Sequence, residues 1–219
     1  MHTLDRNIRF GNYMHTSVGQ KYWPMDPRPD EVNIMTIAHH LANRCRWNGA
    51  TRHPTDPNRI FYSVAEHSVY CSYIGPEDEA LERLLHDASE AYNGDLIRPL
   101  KYSKLFAQPF KQVEEWNEKA IAEAFDLKYP FPPSVKIADE AVTAAEAQQI
   151  IEKDPDDEWE SGMLHDESFV APIRIEMWSP IEARQRFLER FEELWIKRTA
   201  QTMRNEVTLG LGDMLHVAG

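Results

Sequence analysis

The chain has 219 residues, enough for one sizeable core, and 42% of them are hydrophobic, with six tryptophans. This is the composition of a packed globule rather than of a disordered or fibrous chain. Lys and Arg number 24 against 36 Asp and Glu, a net charge of −12, which argues against a nucleic-acid groove because such a groove needs a basic stripe. A small phosphorylated ligand stays open, since a bound cation and a few arginines can reverse the sign of a single pocket.

No apolar run approaches the roughly 18 residues of a membrane helix, and the opening MHTLDRNIRFGNY carries no apolar stretch of the kind a secretion signal needs. Cys45 and Cys71 both fall inside helical patterns and read as free buried thiols, which suits a reducing, cytoplasmic compartment. Residues 1–33, with Gly11, Gly19, Pro24, Pro27 and Pro29, read as an irregular N-terminal arm with room for one short hairpin.

From residue 34 the helical period takes over, and the spacing predicts a helix over Ile34–Trp47, followed by a loop with Gly49, Pro54 and Pro57. Ser63 reads as an N-cap, and Glu66 three residues on completes a capping box for a helix reaching Ile74. Gly75–Pro76 stops that helix, and the next is predicted from Pro76 to Tyr92, ending at Asn93–Gly94. A loop with Pro99 precedes a longer helix over Phe106–Phe125. Pro130–Pro133 breaks the chain, and the helix over Ser134–Lys153 resumes it. The acidic stretch KDPDDEWE at 153–160 lacks calcium-loop spacing and reads as solvated surface. A last helix covers Pro180–Met203, with a loose tail at 204–219. The fold class is therefore all-α: one helical domain over 34–203, with an arm before it and a tail after it.

Three segments place chemically competent side chains together. On a helical wheel with about 100° per residue, His86 and Asp87 flank Glu90, opposite Leu81, Leu84, Leu85 and Ala88. That face alone is also what an ordinary surface helix shows. His67, however, shares an apolar stripe with Val64, Cys71 and Ile74 and is expected to point inward, where its two nitrogens need partners. Asp139, flanked by Val135 and Val142, leans inward too, and an inward carboxylate is costly unless paired or metal-bound. One divalent cation would satisfy all four. Two imidazoles with two carboxylates suit Mn, Co, Fe, Ni or Zn without selecting among them. His39–His40 is a rival pair, although adjacent positions point about 100° apart on a helix.

The order His…His-Asp…Asp on separate helices resembles the HD-domain phosphohydrolases. YSVAEHS at 62–68, HDASEAYNGD at 86–95, RPLK at 98–101, IADEA at 137–141 and RCRWNG at 44–49 are similar to the bacterial 5′-deoxynucleotidase branch and to the related phage dATP triphosphohydrolases. The blocks cover roughly residues 34–150. The resemblance implies an HD-type helical bundle in which His67, His86, Asp87 and Asp139 hold one divalent transition metal. It also implies that Glu90 and Asp95 act in catalysis, that Arg46 and Lys101 contact phosphate, and that Trp47 packs by the sugar and excludes a 2′-hydroxyl. The expected activity is hydrolysis of a deoxynucleotide, either a monophosphate releasing phosphate or a dNTP releasing triphosphate, by a homo-oligomer of two or more chains. A catalytically silent HD module that binds nucleotide and regulates a partner is the alternative, which loss of a ligand or acid–base residue would signal. Cyclic-dinucleotide hydrolases of the HD type carry Gly-Tyr-Pro after the motif, where this chain has HDASE.

Overall fold

The computed structural model describes residues 8–152 and 169–216, with side chains as far as Arg204. The 153–160 acidic stretch lies outside the described residues. In the arm, β1 (Met14–His15) and β2 (Lys21–Tyr22) pair antiparallel, with Met14 opposite Tyr22 and His15 opposite Lys21. The remainder is helical, as expected for an all-α chain: α1 (Ile34–Ala42), α2 (Val64–Ser72), α3 (Ala80–Leu85), α4 (Glu90–Asn93), α5 (Arg98–Lys101), α6 (Ala107–Ala124), α7 (Pro133–Gln149) and α8 (Pro180–His216). No helix among the described residues is long and apolar enough to cross a membrane.

Local chemistry sets these boundaries. Asn33 starts α1 by accepting the Met35 N–H at 2.9 Å, and Ile37, Ala38 and Leu41 then bury one face of the helix. The helix stops at Asn43, earlier than predicted, and Arg46–Gly49 forms a separate 3-10 turn. Cys45 lies in the intervening extended segment and is exposed rather than buried, while Cys71 is buried. Ser63 does cap α2, its Oγ accepting the Glu66 N–H at 3.1 Å. The Glu66 side chain closes no capping box. It is fully buried, and it accepts from the Met177 and Trp178 N–H groups at 2.9 and 2.7 Å.

Helix α2 is the centre of the molecule, buried along its whole length and packed against α3, α7 and α8. Tyr62, Leu84, Leu85, Ile121 and Phe187 fill the space around it. Each such side chain contributes about 1.5–3 kcal/mol relative to exposure. Arg190, on the same buried stripe of α8 as Ala183, Phe187 and Leu194, donates Nε to Ser72 Oγ at 3.0 Å and Nη2 to Ser72 O at 3.2 Å, closing the end of α2. Phe187 is core, and Phe191 stacks on Trp195 with centroids 5.8 Å apart, both edge-on to Phe125. The backbone of α8 stays helical to His216, so the segment after Arg204 continues the helix where a loose tail was expected.

Candidate metal centre

The predicted single helix over Pro76–Tyr92 is interrupted where the chemistry sits. Between α3 and α4 the bonds run to the third residue back: Ala88 N–H to Leu85 O at 3.0 Å, Glu90 N–H to Asp87 O at 3.0 Å, and Ala91 N–H to Ala88 O at 3.2 Å. This tighter winding carries His86 and Asp87, and it aims the pair at α2 and α7.

Four predicted residues converge from three stretches of chain. His67 Nε2, on α2, lies 3.2 Å from Asp139 Oδ1 on α7 and 3.8 Å from Asp87 Oδ2. His86 Nε2 lies 3.3 Å from the same Asp87 oxygen, and the two imidazole centroids are 5.4 Å apart. Each histidine is held by its other nitrogen. His67 Nδ1 meets Glu146 Oε1 at 2.6 Å, and His86 Nδ1 meets Arg83 O at 2.8 Å. Both Nε2 atoms are therefore left facing the carboxylates, the usual way that ligating histidines are oriented.

The residues fit a cation. His86 Nε2, Asp87 Oδ2 and Glu90 Oε2 are sealed from solvent and have no hydrogen-bond partner among the described residues. Orphaned buried polar atoms cost about 1–3 kcal/mol each, and here three of them share one neighbourhood. His67, Cys71 and His86 each bring a donor atom within 4.8 Å of one another, a group able to hold a metal ion. Cys71 Sγ, expected from the sequence as a plain buried thiol, lies 3.3 Å from His67 Nε2 and is a further donor here.

Charge in the cluster is balanced by Arg46. Its Nε donates to Glu146 Oε2 at 2.8 Å, and Nη2 donates to Thr143 Oγ1 at 2.7 Å and Asp139 Oδ1 at 3.3 Å; Nη1 stands 3.7 Å from Asp87 Oδ2. Expected as a phosphate contact, it lies among the carboxylates of the centre. Burial works to raise the Asp139 carboxyl, but the bond to His67 and the charges of His67 and Arg46 outweigh it and hold it below the usual range. Glu146 is likewise lowered to about 2, by Arg46 and then His67 acting against its burial. Glu90 is pushed well above the carboxylate range by burial, then by Asp87 and Asp95.

Glu146 was not singled out from the sequence. It is fully buried and accepts four bonds: His67 Nδ1, Tyr62 OH at 2.9 Å, Arg46 Nε, and Trp47 Nε1 at 2.7 Å. Asp139, Thr143 and Glu146 stand at i, i+4 and i+7 on α7, one face of two successive turns. That spacing was the available signal. Trp47 and Asn48 adopt φ of 55° and 51°. Such left-handed residues cost of order 1–3 kcal/mol each and persist where the surroundings fix them, and here the Trp47 indole is anchored on Glu146. Lys101 pairs with Glu114 Oε1 at 2.8 Å. Asp95, beyond Gly94, is exposed at the rim of a cleft beside α1. The His39–His40 pair stays outside the centre: His40 Nδ1 meets Ala91 O at 2.8 Å, and its Nε2 accepts the Ser17 N–H at 3.1 Å.

Over 186 residues the chain is 33% identical to the uncharacterized protein YfdR of Escherichia coli, a match spanning 84% of this chain and 96% of that one. It belongs to the YfdR family. It is also 33% identical over 143 residues to the uncharacterized protein RCAP_rcc00048 of Rhodobacter capsulatus, covering 60% of this chain and 69% of the relative. No family model matches the chain.

Proposed function

We propose that the protein is a metal-dependent phosphohydrolase of the HD type that acts on deoxynucleotides. The observation that carries the reading is the meeting of His67, His86, Asp87 and Asp139 around orphaned donor atoms, with His67 fully buried and the Asp139 side chain 37% exposed. These four would hold one divalent transition ion, with Cys71 a softer neighbour on the same side. When bound, such an ion lowers the pKa of a coordinated water and polarises a phosphoryl oxygen.

The protein's own groups supply the rest. Glu90 follows the His86–Asp87 pair by one turn, and burial, then Asp87 and Asp95, raise its carboxyl, which suits it to proton transfer with a leaving oxygen. Asp95, after the Gly94 turn, is the second carboxyl for proton transfer. Arg46, already lying among the carboxylates, keeps their charge balanced beside an incoming phosphate. Trp47, fixed by its indole N–H, presents a ring for the sugar and Lys101 a cation for phosphate. The proposed enzyme is cytoplasmic and works as a dimer or larger assembly. Either a deoxynucleoside monophosphate or a dNTP fits this reading.

The test is a panel of all dNMPs and dNTPs incubated with purified protein and Mn or Co, with products separated by chromatography. Hydrolysis of at least one deoxynucleotide is the expected result. Inactivity on every member rejects the reading.

A further inference from the structure

The hairpin, the C-terminal end of α1 and the Gly94–Asp95 loop enclose a cleft of about 690 Å³, walled in part by His15, His39, Asn43, Arg44, Asn48 and Asp95. In this acidic chain most arginines are committed. Arg9 binds Glu31, Arg46 binds Glu146, Arg190 binds Glu193, and Arg198 binds Glu82. Arg44 is different. Its backbone is fixed, the N–H donating to Leu41 O at 3.3 Å and the carbonyl accepting from Val64 N–H at 3.1 Å. Yet Nε is sealed from solvent with no acceptor, and no carboxylate among the described residues pairs with the guanidinium. Nη1 lies against the turn into Asp95, 3.7 Å from where a Cβ on Gly94 would stand.

A guanidinium on a cleft wall with no carboxylate partner offers its fork to planar oxygens. The side amides of Asn43 and Asn48 and the exposed rings of His15 and His39 add donors around the same space. We infer that this cleft is a phosphate-binding subsite in which Arg44 grips a phosphate group of a small anionic ligand. The choice of phosphate over carboxylate rests on the phosphohydrolase reading, because Asp95 belongs both to this wall and to the groups assigned to that chemistry. The anion site itself does not depend on catalysis.

Cys45 lies on the wall of this cleft and is exposed, whereas Cys71 is buried, so alkylation reads occupancy directly. The rate of Cys45 modification by iodoacetamide is followed by peptide mass, with an unreactive Cys71 as the internal check that the fold is intact. Millimolar pyrophosphate is expected to slow Cys45 alkylation several-fold in the wild-type protein. Arg44→Gln is expected to abolish that protection with metal content unchanged, and Arg44→Lys to keep part of it. No protection in the wild type, or equal protection in Arg44→Gln, overturns the inference.

Repeating the measurement with a nucleoside triphosphate in Asp87→Ala separates the two sources of phosphate. Protection by pyrophosphate but not by the nucleotide assigns the subsite to a further phosphate of the metal centre's own substrate, whereas protection by both assigns it to a separate ligand. Arg44-dependent protection in a protein that hydrolyses no nucleotide would retire the enzyme reading and leave the subsite standing.

Discussion

His67 Nδ1 lies 2.6 Å from Glu146 Oε1, and neither side chain has any exposed surface. This single bond decides which nitrogen of His67 faces Asp139 and Asp87. The same carboxylate also receives Arg46, Trp47 and Tyr62, so one side chain on α7 sets the geometry of four others.

Replacing Glu146 by Gln keeps the volume and one acceptor but puts an amide NH2 where Arg46 and Trp47 now donate. Disturbing an outer partner of a ligating histidine typically costs 10–100-fold in metal affinity. Competition against a chelator is expected to show a loss of that order, with the helical circular dichroism retained. Unchanged affinity would remove Glu146 from the account.

Asp87→Ala is expected to abolish bound metal and activity together while leaving the fold in place, because Asp87 Oδ2 already lacks a hydrogen-bond partner. Elemental analysis beside circular dichroism checks this. An active Asp87→Ala variant would show the ligand assignment to be wrong.

Cys71→Ser distinguishes the two donor sets. If the carboxylates hold the ion, one metal per chain survives the exchange. Loss of metal in Cys71→Ser, with retention in Asp139→Asn, would give the site to His67, Cys71 and His86 instead.

Trp47→Ala is expected to weaken discrimination against ribonucleotides without changing metal content, whereas Trp47→Phe keeps the ring and gives up only the N–H to Glu146. The readout is the ratio of kcat/KM for deoxy and ribo substrates. An equal ratio in wild type and Trp47→Ala would end the proposed role of the ring.

Far from the centre, Arg198 Nη2 reaches both oxygens of the fully buried Glu82 at 2.7 Å. Arg198→Met strands that carboxylate, and removing one partner of a buried pair costs about 3–5 kcal/mol. Denaturant unfolding is expected to show a loss of that size, recovered in large part by adding Glu82→Gln. A change below the measurement error would mean that solvent reaches Glu82.

The parts of this architecture written locally were legible. Ser63 caps α2 through a bond to the third residue on, and the burial of His67 follows from apolar neighbours one turn away, whereas the Asp139 side chain stays 37% exposed. What stayed hidden depends on distant chain. Glu146 reads as one more polar residue of a helix until Arg46, 100 positions earlier, is folded against it. Glu66 looked like half of a capping box because its real partners, the N–H groups of Met177 and Trp178, lie more than a hundred positions ahead. The tightening at His86–Ser89 has no residue signature of the Gly or Pro kind. The reach of α8 beyond Arg204 was missed because Gly210 and Gly212 are poor helix formers.

Helix α2 is gripped at both ends from the far side of the chain: Glu66 by residues 176–178, and Ser72 by Arg190. During synthesis, His67 emerges long before either clamp exists, and Asp139 still precedes both. A nascent chain halted ahead of Glu176 would own every donor atom of the centre, and α3 and α7 beside α2, yet lack both of these clamps. The helix that bears the first donor of the centre is thus clamped by chain more than a hundred positions further on.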